Sequence, residues 1–275
     1  MYSRVYVEIT NICNMRCSFC HGHRRPPRQM TEAEYAHVLA QLQGKTQYIY
    51  HHLMGEPLLH PLLPHFIEMA KNAGFRPMIT TNGTLLDRFG DALLGKGLHK
   101  VNISLHSFEE DRPEDHRQYI GKIAAFAEKA HADGTLISLR LWNSGCDDGR
   151  NDDTLSLLQE LLPGQWTPNT QGYRIQDGIF LEWGDRFQWP DLHAPDYGGQ
   201  VYCHGLLDHF GILCDGTVVP CCLDHEGDLA LGNLFRQDLS EILETSRAKA
   251  IYEGFSNRKA AEDLCRRCGY ARRFG

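Results

Sequence analysis

The sequence predicts an α/β protein, a partial (β/α)6 barrel of the TIM type followed by a small C-terminal extension made of a β-hairpin and a helix. Three observations carry that expectation. Short apolar strands alternate with amphipathic helical stretches through the first two-thirds of the 275 residues. The composition then changes near residue 186. Cysteines crowd both ends: Cys13, Cys17 and Cys20 at the start, and six of the ten in the last 73 residues. A doubly wound sheet is the alternative arrangement of repeated βα units.

The elements follow in order. Val5 to Thr10 alternates apolar and polar residues, as a strand does. Thr31 with Glu34 forms a capping box, and Tyr35, Val38, Leu39 and Leu42 recur at helical spacing across 31–43. Residues 48–53 make the second strand. Leu62, Leu63, Phe66, Ile67 and Ala70 mark the second helix, which Asn72-Ala73-Gly74 ends. Residues 78–81 are the third strand, with 84–94 helical after it; 101–105 is the fourth, followed by a helix over 114–132. Residues 136–142 form the fifth strand, 152–162 a helix, and 173–183 a sixth strand. Gly, Pro, Asp and aromatic residues without a period then mark 186–200 as a linker between a barrel, 1–185, and a C-terminal domain, 201–275. There Asp215-Gly216 reads as a two-residue type I′ turn, which would pair Cys214 with Thr217. A helix at 239–253 and the run Cys265-Arg-Arg-Cys268 close the chain.

Composition narrows the function classes. The formal net charge of −7 argues against a protein that grips nucleic acid through its phosphates. No apolar run approaches the ~20 residues of a membrane span, and the N-terminus reads as a charged strand rather than a signal peptide, so a cytoplasmic location is expected. In a reducing compartment ten cysteines point to metal or redox chemistry before disulfides.

Cys13-x3-Cys17-x2-Cys20 follows the first strand directly. Three thiolates on a short loop hold three irons of a [4Fe–4S] cluster and leave the fourth iron open. Zinc is the competing reading, with His21 or His23 as a fourth ligand. The spacing, with Phe19 just before the third cysteine, resembles the radical S-adenosylmethionine (SAM) superfamily. Further residues agree in order and at strand ends: Gly55-Glu56 after the second strand, Asn82 after the third, Ser104 in the fourth and Arg140 in the fifth. The resemblance covers about 4–185. It implies that Phe19, Gly55, Glu56, Asn82, Ser104 and Arg140 bind SAM: Gly55-Glu56 its amino group, Ser104 and Arg140 its carboxylate or ribose. Two departures stand out. His106 occupies a place where many relatives have an acidic residue, and no Gly-x-Ile-x-Gly adenine motif is evident near the sixth strand.

Cys203, Gly216-x4-Cys221 and Cys265-x2-Cys268 resemble Twitch, the shortened form of the SPASM auxiliary-cluster extension, with spacing like that of the aminocyclitol dehydrogenase branch. The resemblance implies one auxiliary [4Fe–4S] cluster held by Cys203, Cys221, Cys265 and Cys268, hence two clusters and SAM as cofactors. A structural zinc ribbon is the plainer alternative for the tail. Cys222 is a packed residue, a replacement ligand or a hydrogen-atom donor to a substrate radical. Cys146, in the loop after strand five, is a bland loop residue or a second such donor.

Alternation in the second strand puts one of His51 and His52 inside the barrel, and His60, His106, His204 and His209 are further candidates for the cavity. The basic run 21–28 and the arginines at 266, 267, 272 and 273 are solvated loops, substrate anchors or docking patches for an acidic electron donor of the flavodoxin or ferredoxin type. The resemblance implies an enzyme that cleaves SAM to methionine and a 5′-deoxyadenosyl radical, abstracts a substrate hydrogen and passes a second electron to the auxiliary cluster. Its substrate would be a small polar metabolite or a peptide. Redox-neutral epimerisation of a peptide or sugar with a cysteine donor is the second reading, and a non-catalytic zinc or iron–sulfur protein the third.

Overall fold

The computed structural model describes residues 1–108, 115–147 and 149–274. Its strands are β1 (Arg4–Val7), β2 (Tyr48–Tyr50), β3 (Arg76–Thr81), β4 (Lys100–Ser104), β5 (Leu136–Ser144), β6 (Thr167–Asn169), β7 (Gly172–Gln176), β8 (Ile179–Asp185), β9 (His209–Ile212), β10 (Thr217–Val219) and β11 (Gly232–Asn233). Its α-helices are α1 (Glu32–Leu42), α2 (Leu63–Asn72), α3 (Leu86–Phe89), α4 (His116–Ala132), α5 (Arg150–Leu161), α6 (Leu239–Leu243), α7 (Ser246–Ser256) and α8 (Asp263–Arg266). The predicted helix over 114–132 begins on a residue outside those described.

All eleven strands share one sheet, in the order β11-β10-β9-β1-β2-β3-β4-β5-β8-β7-β6. Within it β1, β2, β3, β4, β5 and β8 run parallel to one another, giving the six strands of the expected partial barrel. A strand's side chains alternate between faces. The outward set is apolar: Val5, Val7, Ile49, Ile79, Val101 and Ile103 are fully buried, in one core with Phe66, Tyr119 and Ile123 of the surrounding helices. The inward set is polar: Arg4, Tyr6, Tyr50, Thr80, Ser104, Arg140 and Glu182 line the interior. One face makes the core and the other makes a hydrophilic chamber.

The C-terminal region does not stand apart from this sheet. β9 lies parallel to β1 along its free edge, with Arg4 opposite His209 and Tyr6 opposite Gly211, and β10 and β11 continue antiparallel. The stretch 186–200 holds no helix or strand beyond an isolated bridge at Gln200.

Four local expectations need correction. The single strand over 173–183 is two antiparallel strands, β7 and β8, turned at Asp177-Gly178, where Gly178 has a φ of +76°. The turn before β10 has three residues, not two. Leu213 N–H donates to Thr217 O at 2.8 Å, so Leu213 faces Thr217, while Cys214-Asp215-Gly216 forms the loop with Gly216 left-handed at φ +86°. That is the type I turn plus left-handed residue of a three-residue hairpin. The helix over 239–253 is two helices, because Thr245 caps a new one by accepting from Ala248 N–H. The segment 84–94 divides into α3 and a 3-10 turn over Gly90–Leu93. The capping box at Thr31 and Glu34 forms as expected.

Candidate active site

The loop after β1 is built by close backbone contacts. Gly55 has a φ of +78°, and a Cβ on it would lie 2.4 Å from the carbonyl oxygen of Thr10. Next to it, Glu56 N–H donates to Ile12 O at 2.8 Å. The Gly55-Glu56 turn is thus pressed against the residues that launch Cys13. The Glu56 carboxylate does not open onto the chamber. It is 1% exposed and accepts from Asn82 N–H at 2.8 Å and Leu58 N–H at 3.0 Å. Burial raises its pKa to about 7 against the pull of those hydrogen bonds. It ties the end of β2 to the end of β3. Asn82 bridges further: it donates to Asn14 Oδ1 at 3.0 Å and hydrogen-bonds the Cys13 thiol.

Cys20 N–H donates to Cys17 O at 3.1 Å, closing the turn that brings these two cysteines side by side. Cys13 and Cys20 are exposed and Cys17 is half-buried. Phe19 packs against His106, ring centroids 5.1 Å apart, and under the Arg186 guanidinium at 5.9 Å. Trp189 holds this turn from outside by donating its indole N–H to Phe19 O at 3.0 Å.

The basic run that follows is structural. Arg25 forks onto the Glu8 carboxylate at 2.6 and 2.8 Å, with Glu8 fully buried, and donates to His225 O at 2.7 Å. Arg28 donates to Cys214 O at 2.7 Å, and Arg24 N–H to Glu226 at 2.8 Å. Glu8 also receives Cys214 N–H at 3.0 Å. The run therefore fastens the first cysteine loop to 214–226. The C-terminal arginines are spent likewise. Arg266 pairs with Asp196, Arg267 with Asp263, Arg272 lies over Tyr197, and Arg273 lies over Phe187 and Tyr270.

The chamber inside the barrel has a volume of about 490 Å³. Ser104, Arg140 and Glu182 face one another across β4, β5 and β8 in register. Arg140 Nε lies 3.2 Å from Glu182, whose other oxygen meets Lys100 at 3.3 Å. Burial alone would raise the Glu182 pKa, but the two cations hold it below the usual carboxylate range. Arg140 also lies over the Trp142 ring at 4.6 Å. His106 Nδ1 sits 3.0 Å from Arg140 O, and burial lowers its pKa to about 4, so the ring is neutral at pH 7. His52 lines the chamber, while His51 turns outward to the Tyr35 hydroxyl at 2.5 Å. His60 binds Met30 O and stays outside. Phe19, Leu141, Asn143 and Cys146 line a neighbouring cavity beside α5. Cys146 belongs to that cavity and not to the chamber.

Cys203, Cys221, Cys265 and Cys268 line one small cavity with Pro220, Asp224 and Leu264. Burial and mutual repulsion push the Cys221 and Cys265 thiols up, and the Cys203 thiol to about 11. Among the described residues no group of three or more His, Cys, Asp or Glu side chains is set to hold a single metal ion, so the four thiols that share this cavity suit the donor chemistry of a larger thiolate-held iron–sulfur centre. Cys222, the next residue, lines the barrel chamber instead and hydrogen-bonds the Tyr6 hydroxyl.

Comparison with known proteins agrees with this arrangement. Residues 7–134 match the Radical SAM superfamily, and residues 203–269 match the SPASM iron–sulfur cluster-binding domain. The chain carries a radical SAM domain followed by a SPASM iron–sulfur domain, the domains of an enzyme superfamily. These domains imply SAM binding and iron–sulfur clusters. The GTP 3′,8-cyclase of Chlorobaculum tepidum is 38% identical over 112 residues, 39% of this chain and 34% of that protein. A probable GTP 3′,8-cyclase of Methanothermobacter marburgensis is 29% identical over 135 residues, 48% of this chain and 43% of that one. The chain thus spans less than half the length of these curated relatives. In fold, the crystal structure of BtrN in complex with AdoMet and 2-DOIA superposes with a TM-score of 0.65 at 19% identity, covering 98% of this chain and 93% of that one. AdoMet-bound anSMEcpe gives 0.63 at 14% identity, covering 98% and 86%. Membership in an enzyme superfamily removes the non-catalytic reading. No helix among the described residues is long and apolar enough to cross a membrane.

Sequence reasoning singled out neither Trp189, Tyr6, Tyr50 nor Arg4. The last three were findable: outward Val5, Val7 and Ile49 put their neighbours inside the barrel. Trp189 gave no such signal, since nothing in the aperiodic stretch around it marks a contact with Phe19.

Proposed function

We propose that this enzyme carries two [4Fe–4S] clusters and oxidises a C–H bond of a small polar metabolite by two electrons. In this reading 1–185 is the barrel that binds SAM and 201–275 the auxiliary-cluster domain. One observation carries it: four cysteines converge on a cavity whose neighbour in the chain, Cys222, faces the barrel chamber. Ligation by four cysteines leaves no iron open to substrate, so electron acceptance is the task such a centre suits. Cys13, Cys17 and Cys20 would hold the first cluster, which with bound SAM would supply the radical chemistry that removes a substrate hydrogen.

The chain's own residues do the rest. Gly55 lets the β2 turn approach the first cysteine loop and offers carbonyls to the SAM ammonium. Ser104 and Arg140 present donors to its carboxylate, and Glu182 and Trp142 hold Arg140 in place. Phe19, Leu141 and Asn143 offer an apolar and polar cradle for adenine. Leu223, Trp189 and Tyr270 add apolar surface to the chamber lining, which would limit water near the reacting bond. An electron donor of the flavodoxin or ferredoxin type would reduce the first cluster.

Iron, sulfide and zinc per chain test this after anaerobic reconstitution. About eight irons and eight sulfides support two clusters. The double substitution Cys265→Ser with Cys268→Ser should leave about four irons, keep SAM cleavage and abolish product. Zinc in the tail would refute the oxidative reading. A second reading, redox-neutral epimerisation, is favoured by the placement of Cys222 in the chamber, where a thiol could return hydrogen to the substrate.

A further inference from the structure

We propose that Lys100, on the barrel floor, is a positioning residue for SAM: it occupies one oxygen of Glu182, so that Arg140 keeps its two terminal nitrogens for the SAM carboxylate. The proposal rests on the reading that Arg140 grips that carboxylate.

Three adjacent strands supply the three charges. Arg140 on β5 stands opposite Ser104 on β4 and Glu182 on β8. Lys100 opens β4, four residues before Ser104 and about 13 Å away along the strand. Active sites of barrels of this kind lie at the other end, where the strands finish. Arg140 and Glu182 line the chamber, and Lys100 does not. The lysine therefore acts on a ligand only through Glu182.

The carboxylate is shared in a definite way. Lys100 Nζ takes Glu182 Oε1 at 3.3 Å, and Arg140 Nε takes Oε2 at 3.2 Å. Arg140 gives Glu182 nothing more: its two η nitrogens make no hydrogen bond to any described residue. Its charge reaches Tyr6, Tyr50 and His52 across the chamber, but only Glu182 hydrogen-bonds it among the described residues. Arginine and carboxylate readily pair through two parallel hydrogen bonds, because the guanidinium fork matches both oxygens. With Lys100 gone, Oε1 would be open and Arg140 would close on Glu182 with an η nitrogen as well. The group would also fall from one net positive charge to none. Both changes weaken the hold on an anion.

Stability gives the lysine no comparable purpose. Met78 and Leu136 stand opposite it in register, so an apolar side chain would find company there. Burial lowers its pKa against the pull of Glu182, with Arg140 adding to the fall. Buried charge groups of this kind add little over apolar replacements of similar size.

The test is SAM affinity of the reconstituted protein by equilibrium dialysis, with iron per chain and the urea midpoint measured beside it. Lys100→Met should weaken SAM by about tenfold, while the midpoint changes little because Glu182 keeps Arg140 as its partner. Lys100→Arg restores the cation and should stay within about threefold of the parent. Adding Glu182→Gln to Lys100→Met should bring the affinity back to within about threefold, since no carboxylate is left to draw Arg140 away. A lysine that merely supported the fold would not be rescued by a second substitution. Arg140→Met should cost at least about tenfold, and Lys100→Met should then add nothing to it. Unchanged affinity in Lys100→Met, or a loss that Glu182→Gln does not relieve, overturns the role of Lys100 and leaves that of Arg140 standing if Arg140→Met still binds weakly. Unchanged affinity in Arg140→Met refutes the reading of Arg140 and the proposal with it.

Discussion

Replacing Gly55 with alanine tests how the first cysteine loop is held. Two costs add. At φ +78° an L-residue loses about 1–2 kcal/mol relative to glycine. The new Cβ would stand 2.4 Å from Thr10 O and 2.9 Å from Asn11 C, both backbone atoms that no rotamer change can move. Relieving that overlap shifts the strand end that launches Cys13, and overpacking of this kind costs about 1–3 kcal/mol. The sum is about 2–5 kcal/mol. Gly44→Ala is the control, because Gly44 has a similar φ of +70° and nothing within 4 Å of its Cβ position. It should pay only the conformational cost, about 1–2 kcal/mol. Denaturant unfolding measures both variants, and iron per chain and SAM affinity report on the loop. Gly55→Ala should lose stability beyond Gly44→Ala, fill its first cluster poorly and bind SAM at least about tenfold more weakly, which is the affinity cost of about 1.4 kcal/mol. Equal stability in the two variants, with full iron and normal SAM affinity in Gly55→Ala, would refute the contact argument.

Other outcomes follow from the same geometry. Arg25→Met strands the buried Glu8 carboxylate and should cost about 3–5 kcal/mol in urea unfolding, whereas Glu8→Leu with Arg25→Met together should recover much of the loss. Acid should weaken the fold before carboxylates in general titrate. His51, His106 and His209 are lowered to about 4 and His52 to about 3, so these rings stay neutral in the native state while the unfolded chain takes up protons below pH 6.5. Stability is therefore present above 6.5 and lost as pH falls; Glu56, raised to about 7, and Asp224, raised to about 6, act in the opposite sense. The balance is a loss of about 2 kcal/mol between pH 6.5 and 5.5, read from the urea midpoint at each pH. Cys222→Ala distinguishes the two reaction outcomes: an oxidation retains product formation, whereas an epimerisation loses it while 5′-deoxyadenosine is still released.

The barrel was legible because its two faces follow simple rules. Apolar residues in short strands and at helical spacing between them located five of the six parallel strands, and the sixth, β8, only as the second half of a longer run. Local capping chemistry was legible too, as at Thr31 and Glu34. What failed was turn arithmetic. Asp177-Gly178 carries the same signal as Asp215-Gly216, yet it lay inside an apolar run and was absorbed into one strand. At the second site the glycine was recognised, but a left-handed Gly216 fits a three-residue loop as well as a two-residue one. The basic run at 21–28 reads as surface because arginines usually are. Its partners Glu8, Cys214 and His225 lie on other strands and loops, so the pairing has no local signature. Glu56 shows the limit of a motif: burial and two backbone donors hold the carboxylate away from the chamber, and neither is signalled by the tripeptide Gly55-Glu56-Pro57.

The pairing of β9 with β1 has a consequence for how this chain can be divided. Arg4, Val5, Tyr6 and Val7 are matched along their length by His209 to Ile212, more than two hundred residues later. Cutting the chain after the sixth parallel strand would leave β1 as a bare sheet edge, with unpaired backbone groups beside two valines that β9 now helps to cover. Such an edge invites pairing with a second copy. The barrel fragment alone is thus expected to self-associate, and its solubility should return when a strand of the sequence His209–Ile212 is supplied in trans.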